Sequence, residues 1–161
     1  APVNPLAGMS TDDSVRWIAT QAKREGRDAI TGEPLAQMSL AALSMHRGDA
    51  ANRELESFAR GYARADVRQW AVFWVAHAGR ANAEDIVTRA ARTDADGGVR
   101  EHAVFALSLL PEDRAVKSLI ALAEDRSLSR EQRKRAVFWL SQSERDSAQA
   151  YLDKVLAGAR R

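Results

Sequence analysis

Three stretches of the sequence say nearly the same thing: AVFWVAH from Ala71, AVFALSL from Ala103 and AVFWLSQ from Ala136. The starts are almost evenly spaced. Such a period means that one supersecondary unit is stacked on copies of itself, because a single unit cannot bury its own apolar side. Counting back by the same interval reaches Ser39, where SLAALSM is a degenerate copy. The second half of the unit keeps the register. Twelve residues after each start come Ala51, Ala83, Ala115 and Ala148, and sixteen after it Leu55, Val87, Leu119 and Leu152.

Within each copy the apolar residues recur at i, i+3, i+4 and i+7 or i+8, in two segments of about eleven residues, which is the spacing of one buried helix face. Turn chemistry separates the segments: Gly48-Asp49, Gly79, Pro111-Glu112-Asp113 and Ser143 to Asp146 within copies, and Asp94 to Gly98 between them. Each unit therefore reads as a helical hairpin, with Pro34 at the start of the first one, where proline is tolerated. The spacing predicts repeats over about 34–65, 66–97, 98–130 and 131–158. Ahead of them a helix over 12–26, capped by Asp12, presents Val15, Ile18, Ala19 and Ala22 on one face. It is either a capping helix or the tail of an earlier repeat. Residues 1–11 read as an extended lead-in and Arg160-Arg161 as a frayed end, which leaves one repeat domain over 12–158.

Composition narrows the function classes. The chain has 161 residues, of which 45% are hydrophobic and 29% charged, and it carries a net charge of only +2. Such a chain folds, but it lacks the strong positive charge of a dedicated nucleic-acid binder. Cysteine is absent, which removes disulfides, thiolate nucleophiles and thiolate-bound zinc. No apolar run approaches the roughly 18 residues of a membrane span. The chain opens on Ala-Pro-Val, as a mature exported protein or an excised fragment would, so the compartment is cytoplasmic or exported.

The first-helix pattern V-R-x-x-A-V-x-x-L, seen from Val67-Arg68 to Val75 and from Val99-Arg100 to Leu107, is followed by A-x-x-x-L-x-x-x-A in the second helix. This pairing resembles the HEAT-repeat family, in the short bacterial form also seen in phycobilin lyases, over about residues 34–158. The resemblance implies an all-α, right-handed α-solenoid of about four hairpins plus the extra N-terminal helix. It implies little about activity, since most members are scaffolds. HEAT-type di-iron hydroxylases carry repeated His-Glu pairs, whereas His46, His77 and His102 fall at unmatched repeat positions here, so neither a metal site nor a cofactor is expected. Acidic pairs such as Glu84-Asp85, Glu112-Asp113 and Glu124-Asp125 suit helix starts and turns. No Gly-rich phosphate loop or catalytic Ser/His/Asp order appears, and no catalytic residue is assigned.

Two surfaces remain as binding candidates. The faces of the second helices opposite the core, which the resemblance makes concave, carry Arg53, Glu56, Arg60, Asp85, Arg89, Arg92, Lys117 and Lys154. Acids interrupt the bases, which favours a protein partner, or another domain of the same polypeptide, over nucleic acid. On the first helices, Phe73, Phe105 and Phe138 fall two residues after the repeated Ala, about 200° around the helix from the core. Either these rings stack along the outer layer while Trp74 and Trp139 wedge between repeats, or they form a partner or self-association surface. The expected function is a non-catalytic protein-interaction or scaffold module. A lyase-type enzyme with a groove is the first alternative and a nucleic-acid-binding module the second.

Overall fold

In the computed structural model, which describes residues 10–159, every copy of the repeated phrase begins inside a helix. The helices are α1 (Thr11–Ala22), α2 (Leu35–Met45), α3 (Asp49–Gly61), α4 (Ala65–His77), α5 (Ala83–Thr93), α6 (Gly97–Leu107), α7 (Glu112–Glu124), α8 (Arg130–Ser141) and α9 (Asp146–Ala159). Among the described residues there is no strand, only one isolated bridge between Arg27 and Pro34. The lead-in over residues 1–9 and the Arg160-Arg161 end fall outside the described residues.

Local chemistry sets the helix bounds. The cap of α1 is Ser10 rather than Asp12: the Ser10 hydroxyl accepts the Asp13 N–H at 3.1 Å, and the Asp13 carboxylate accepts the Ser10 N–H in return. This reciprocal arrangement satisfies two donors that helix ends leave orphaned, which a lone Asp12 does not. Helix α1 also closes at Ala22, short of the expected Gly26. Ser129 and Gln132 build the same box at the start of α8, and Asp96 caps α6 by accepting the Val99 N–H at 3.0 Å. Pro34 and Pro111 stand just ahead of α2 and α7, where a missing N–H costs nothing. Gly79 ends the turn after α4 with φ 63°, a left-handed conformation that a β-carbon penalises.

The helices form two layers. The first helices α2, α4, α6 and α8 lie side by side, and so do the second helices α3, α5, α7 and α9, with α3, α5 and α7 each also packed on the first helix that follows. Helix α1 packs on α2 and α3 in the same way, so it occupies the place that the second helix of a preceding hairpin would take. The repeated Ala explains the close first layer: Ala71, Ala103 and Ala136 are fully buried, with Val72 and Val104 beside the first two. Small side chains there let one helix approach the next and interdigitate at crystal-like density. The second helices touch one another more sparsely. The core runs continuously between the layers, through Leu40, Leu55, Val75, Ile86, Leu107, Leu119 and Leu140, each worth about 1.5–3 kcal/mol of transfer free energy when buried.

Candidate interaction surface

The second helices are amphipathic with opposite chemistries on their two sides. In α5, Ala83, Ile86, Val87, Ala90 and Ala91 are buried, while Asp85 and Arg89 project outward and Arg92 lies half-buried. Because α3, α5 and α7 lie parallel but loosely spaced, their outer faces leave a groove of about 570 Å³, walled by Arg60 from α3, by Glu84, Asp85, Arg89 and Arg92 from α5, and by Lys117 and Ser118 from α7. A second recess of about 320 Å³ lies between α3 and α5 and shares Arg60, Arg89 and Thr93 with the first. The two are thus one trough, with Arg60 and Arg89 at the junction.

Internal pairing decides which charges in this trough are available. Arg92 is tied to Asp125 at the end of α7, and Glu84 accepts the buried Ser118 hydroxyl at 2.6 Å. Glu56, beside the trough, accepts the Asn82 amide at 2.5 Å and lies 3.9 Å from Arg60. Asp85, Arg89 and Lys117 make no side-chain hydrogen bond or ion pair among the described residues. Of the eight sequence candidates on this layer, the structure brings Arg60, Asp85, Arg89, Arg92 and Lys117 into one groove and leaves Glu56 at its edge. Arg53 lines a separate 240 Å³ recess with Asp12 and Arg16 of α1, and Lys154 is exposed on α9, outside both.

The floor of the trough is built by a residue that the motif contained but to which sequence reasoning gave no role. Arg68, in the first turn of α4, reaches across to Asp94 after α5 with two parallel bonds, Nε to Oδ2 at 2.9 Å and Nη2 to Oδ1 at 2.8 Å. Its remaining Nη1 donates to the carbonyls of Tyr62 and Ala63, at 2.7 and 3.1 Å. Both side chains are nearly enclosed, 11% and 8% exposed. The paired guanidinium holds the Asp94 carboxyl below its ordinary range, and Asp94 in turn raises Arg68. Arg100 grips the Asp94 and Ala95 carbonyls, and Arg133 the Leu128 carbonyl, in the same manner. An Arg in identical register at 68, 100 and 133 was the available signal.

On the other layer the aromatics cover one another. Phe73 meets the rings of Trp70, Trp74, His77 and His102 at centroid distances of 5.9, 5.0, 6.0 and 6.0 Å, and stacks toward Phe105 at 6.2 Å. Phe105 continues to Trp139 at 4.8 Å. Mutual stacking thus accounts for Phe73 and Phe105, which are half-buried, at separations where aromatic pairs attract. Phe138 differs. It touches only Trp139 among the rings and stays 54% exposed. His102 is enclosed in this cluster with its Nε2 unpartnered, and burial lowers its pKa. His46 follows α2 and His77 ends α4 exposed. Among the described residues no three His, Asp or Glu side chains gather as metal ligands, and no helix is long and apolar enough to cross a membrane.

Helical hairpins of near-constant length, layered so that each covers the one before and bound by an Arg at each junction, define an α-solenoid of the repeat class. A family model of HEAT repeats matches residues 52–141, more than half of the chain, and the chain belongs to the HEAT-repeat family. No curated protein matches it. HEAT repeats generally mediate protein interactions.

Proposed function

We propose that this chain is a non-catalytic interaction module that holds a protein partner, or another domain of its own polypeptide, along the trough between α3, α5 and α7. One observation carries the reading: three successive second helices each contribute a cation, Arg60, Arg89 and Lys117, to a single groove, and the last two have no internal partner among the described residues. An acidic segment lying across the helices satisfies all three, while Asp85 takes a cation of the same segment and fixes its register. Electrostatic complementarity of this kind sets specificity and association rate more than affinity. Glu84, Asp85 and the nearby Asp125 argue against a phosphate track, where each retained acid opposes counterion release. The groove over α5 is open and carries charged, Thr, Ser and Ala side chains with no aromatic or large aliphatic one, unlike the enclosed, hydrophobic and aromatic pocket that buries a small ligand.

Affinity capture from source-cell extract tests this, with wild type compared against Arg89→Glu plus Lys117→Glu and against Phe138→Ser. The expected result is a polypeptide retained by wild type and by Phe138→Ser but lost from the groove variant. Retention indifferent to the groove substitutions, or tight binding of DNA or RNA that falls steeply with salt, refutes it.

A further inference from the structure

The hairpins α2–α3, α4–α5, α6–α7 and α8–α9 meet at three junctions, and the turn beside each junction carries a different chemistry. At the middle one, Ala76 and Ala106 are fully buried, and the turn after α6 adds Leu109, half-buried, and Leu110, 3% exposed. At the first junction Ser44 and Trp74 take the register of those two alanines, and the turn after α4 sends in a cation. Arg80 donates through Nη2 to the carbonyls of His46 and Ser44, at 2.9 and 3.3 Å. At the third junction the serine and the tryptophan return as Ser108 and Trp139. The Ser108 hydroxyl donates to the Phe105 carbonyl at 2.7 Å, as the Ser44 hydroxyl does to that of Ala41. Yet the turn after α8 supplies neither filling. Gln142 and Ser143 hold the register of Leu109 and Leu110, while Arg145, in the register of Arg80, is exposed and outside the lining. A recess of about 360 Å³ opens there, floored by Ala115, Val116 and Leu119 of α7 and walled by Ser108, Trp139 and the turn. Its sides are α6–α7 and α8 with the turn that follows, so it lies within the stack.

We propose that this recess binds a guanidinium on an aliphatic stem, carried by a small molecule or by an arginine of another protein. The first junction supplies the precedent: where the chain pairs this serine with this tryptophan, a guanidinium is what it brings to them. The carbonyls of Ser108 and Leu110 stand in register with the two that Arg80 uses. The aliphatic floor covers the stem, and tryptophan is the side chain that holds a cation over its ring best. Glu144 at the rim is exposed, with no hydrogen bond or ion pair among the described residues, and none of the lining side chains is cationic. A planar guanidinium spreads its donors over several acceptors at once, which an ammonium does not match. Polar residues in a register that packing elsewhere fills with leucine are expected where a site is built. The recess shares no residue with the trough between α3, α5 and α7, so this reading stands apart from the one proposed there.

Chemical-shift titration of isotope-labelled protein tests this, with n-butylguanidine as the free probe and acetyl-Gly-Arg-Gly-amide as the peptide probe. The expected result is a saturable shift of the Trp139 indole N–H and of the Gln142, Ser143 and Glu144 amides, with a dissociation constant on the order of a millimolar. Response to the free probe alone, to the peptide alone or to both supports the proposal and assigns the source of the guanidinium. Ser143→Leu copies Leu110 into this register and should abolish the response without lowering the thermal midpoint, because the new side chain fills existing space. Glu144→Gln should weaken binding about three- to five-fold, as for an exposed ion pair, and n-butylammonium should bind several-fold more weakly than n-butylguanidine. No response to either guanidinium probe at about ten times the expected constant, a response that survives Ser143→Leu, or equal binding of n-butylammonium overturns the proposal. So does a silent wild type whose Arg145→Ala variant responds, which gives the recess to the chain's own arginine.

Discussion

Removing Asp94 should destabilise the chain far more than removing an ordinary surface acid. Arg68 spends two of its donors on the Asp94 carboxylate and one on the Tyr62 and Ala63 carbonyls, from a position only 11% exposed. Breaking a buried pair by deleting one partner costs about 3–5 kcal/mol, because the other charge is left uncompensated. Here the two carbonyls stay in place and the rim admits some water, so Asp94→Ala belongs at the low end, about 3 kcal/mol. Arg68→Met strands the carboxylate, which keeps the Asp96 N–H at 2.9 Å, and should cost a similar amount. The double variant Arg68→Met plus Asp94→Ala leaves no charge behind and should fall short of the sum of the two by about 2 kcal/mol or more. With a urea slope of about 2 kcal/mol per molar, each single change lowers the unfolding midpoint by about 1.5 M. A loss below about 1 kcal/mol for Asp94→Ala, or strict additivity in the double variant, means that the pair behaves like a solvated surface bridge and refutes the clamp.

Two further outcomes can be checked on the same footing. Ala103→Leu inserts a larger side chain where α6 meets its neighbours at full burial, so it should cost about 1–3 kcal/mol by overpacking, read as a lower thermal midpoint, whereas the exposed Ala150→Leu should be nearly silent. His102 has its pKa lowered from 6.5 by burial, so the unfolded chain takes up a proton that the folded one refuses. Stability should therefore be complete above about pH 6.5 and decline as pH falls below it. His102→Phe should flatten that slope, and an equal slope in both proteins sinks the assignment.

The architecture was legible because stacking demands repetition. Ala71, Ala103 and Ala136 recur for one physical reason, close approach of first helices, and their near-constant period records it without ambiguity. The start of α1 was misread because Asp12 looks like a cap in isolation, while the reciprocal bonding of Ser10 with Asp13 depends on a pair three residues apart. The Arg68 clamp was hidden for a different cause: its partner Asp94 lies 26 residues away in a turn, and no local pattern distinguishes a carboxylate that meets a guanidinium from one that meets water. The aromatic positions were placed on the outer layer by the helical wheel, but the wheel of one helix carries no information about the ring on the next. What shields Phe73 and Phe105 is a property of the stack.

The unequal spacing of the two layers has a mechanical side. A strip whose one edge is bound closely and whose other edge is bound loosely does not bend about its middle; it bends about the bound edge. The first helices, drawn together on their alanines, act as a nearly inextensible spine, and the second helices swing about it like ribs. A few degrees between neighbours add along the chain, so the trough changes width with little disturbance of the spine. The Arg68–Asp94 bridge at the foot of α5, with the Arg92–Asp125 and Ser118–Glu84 contacts from α5 to α7, ties the middle ribs together, so α5 and α7 are expected to swing as one.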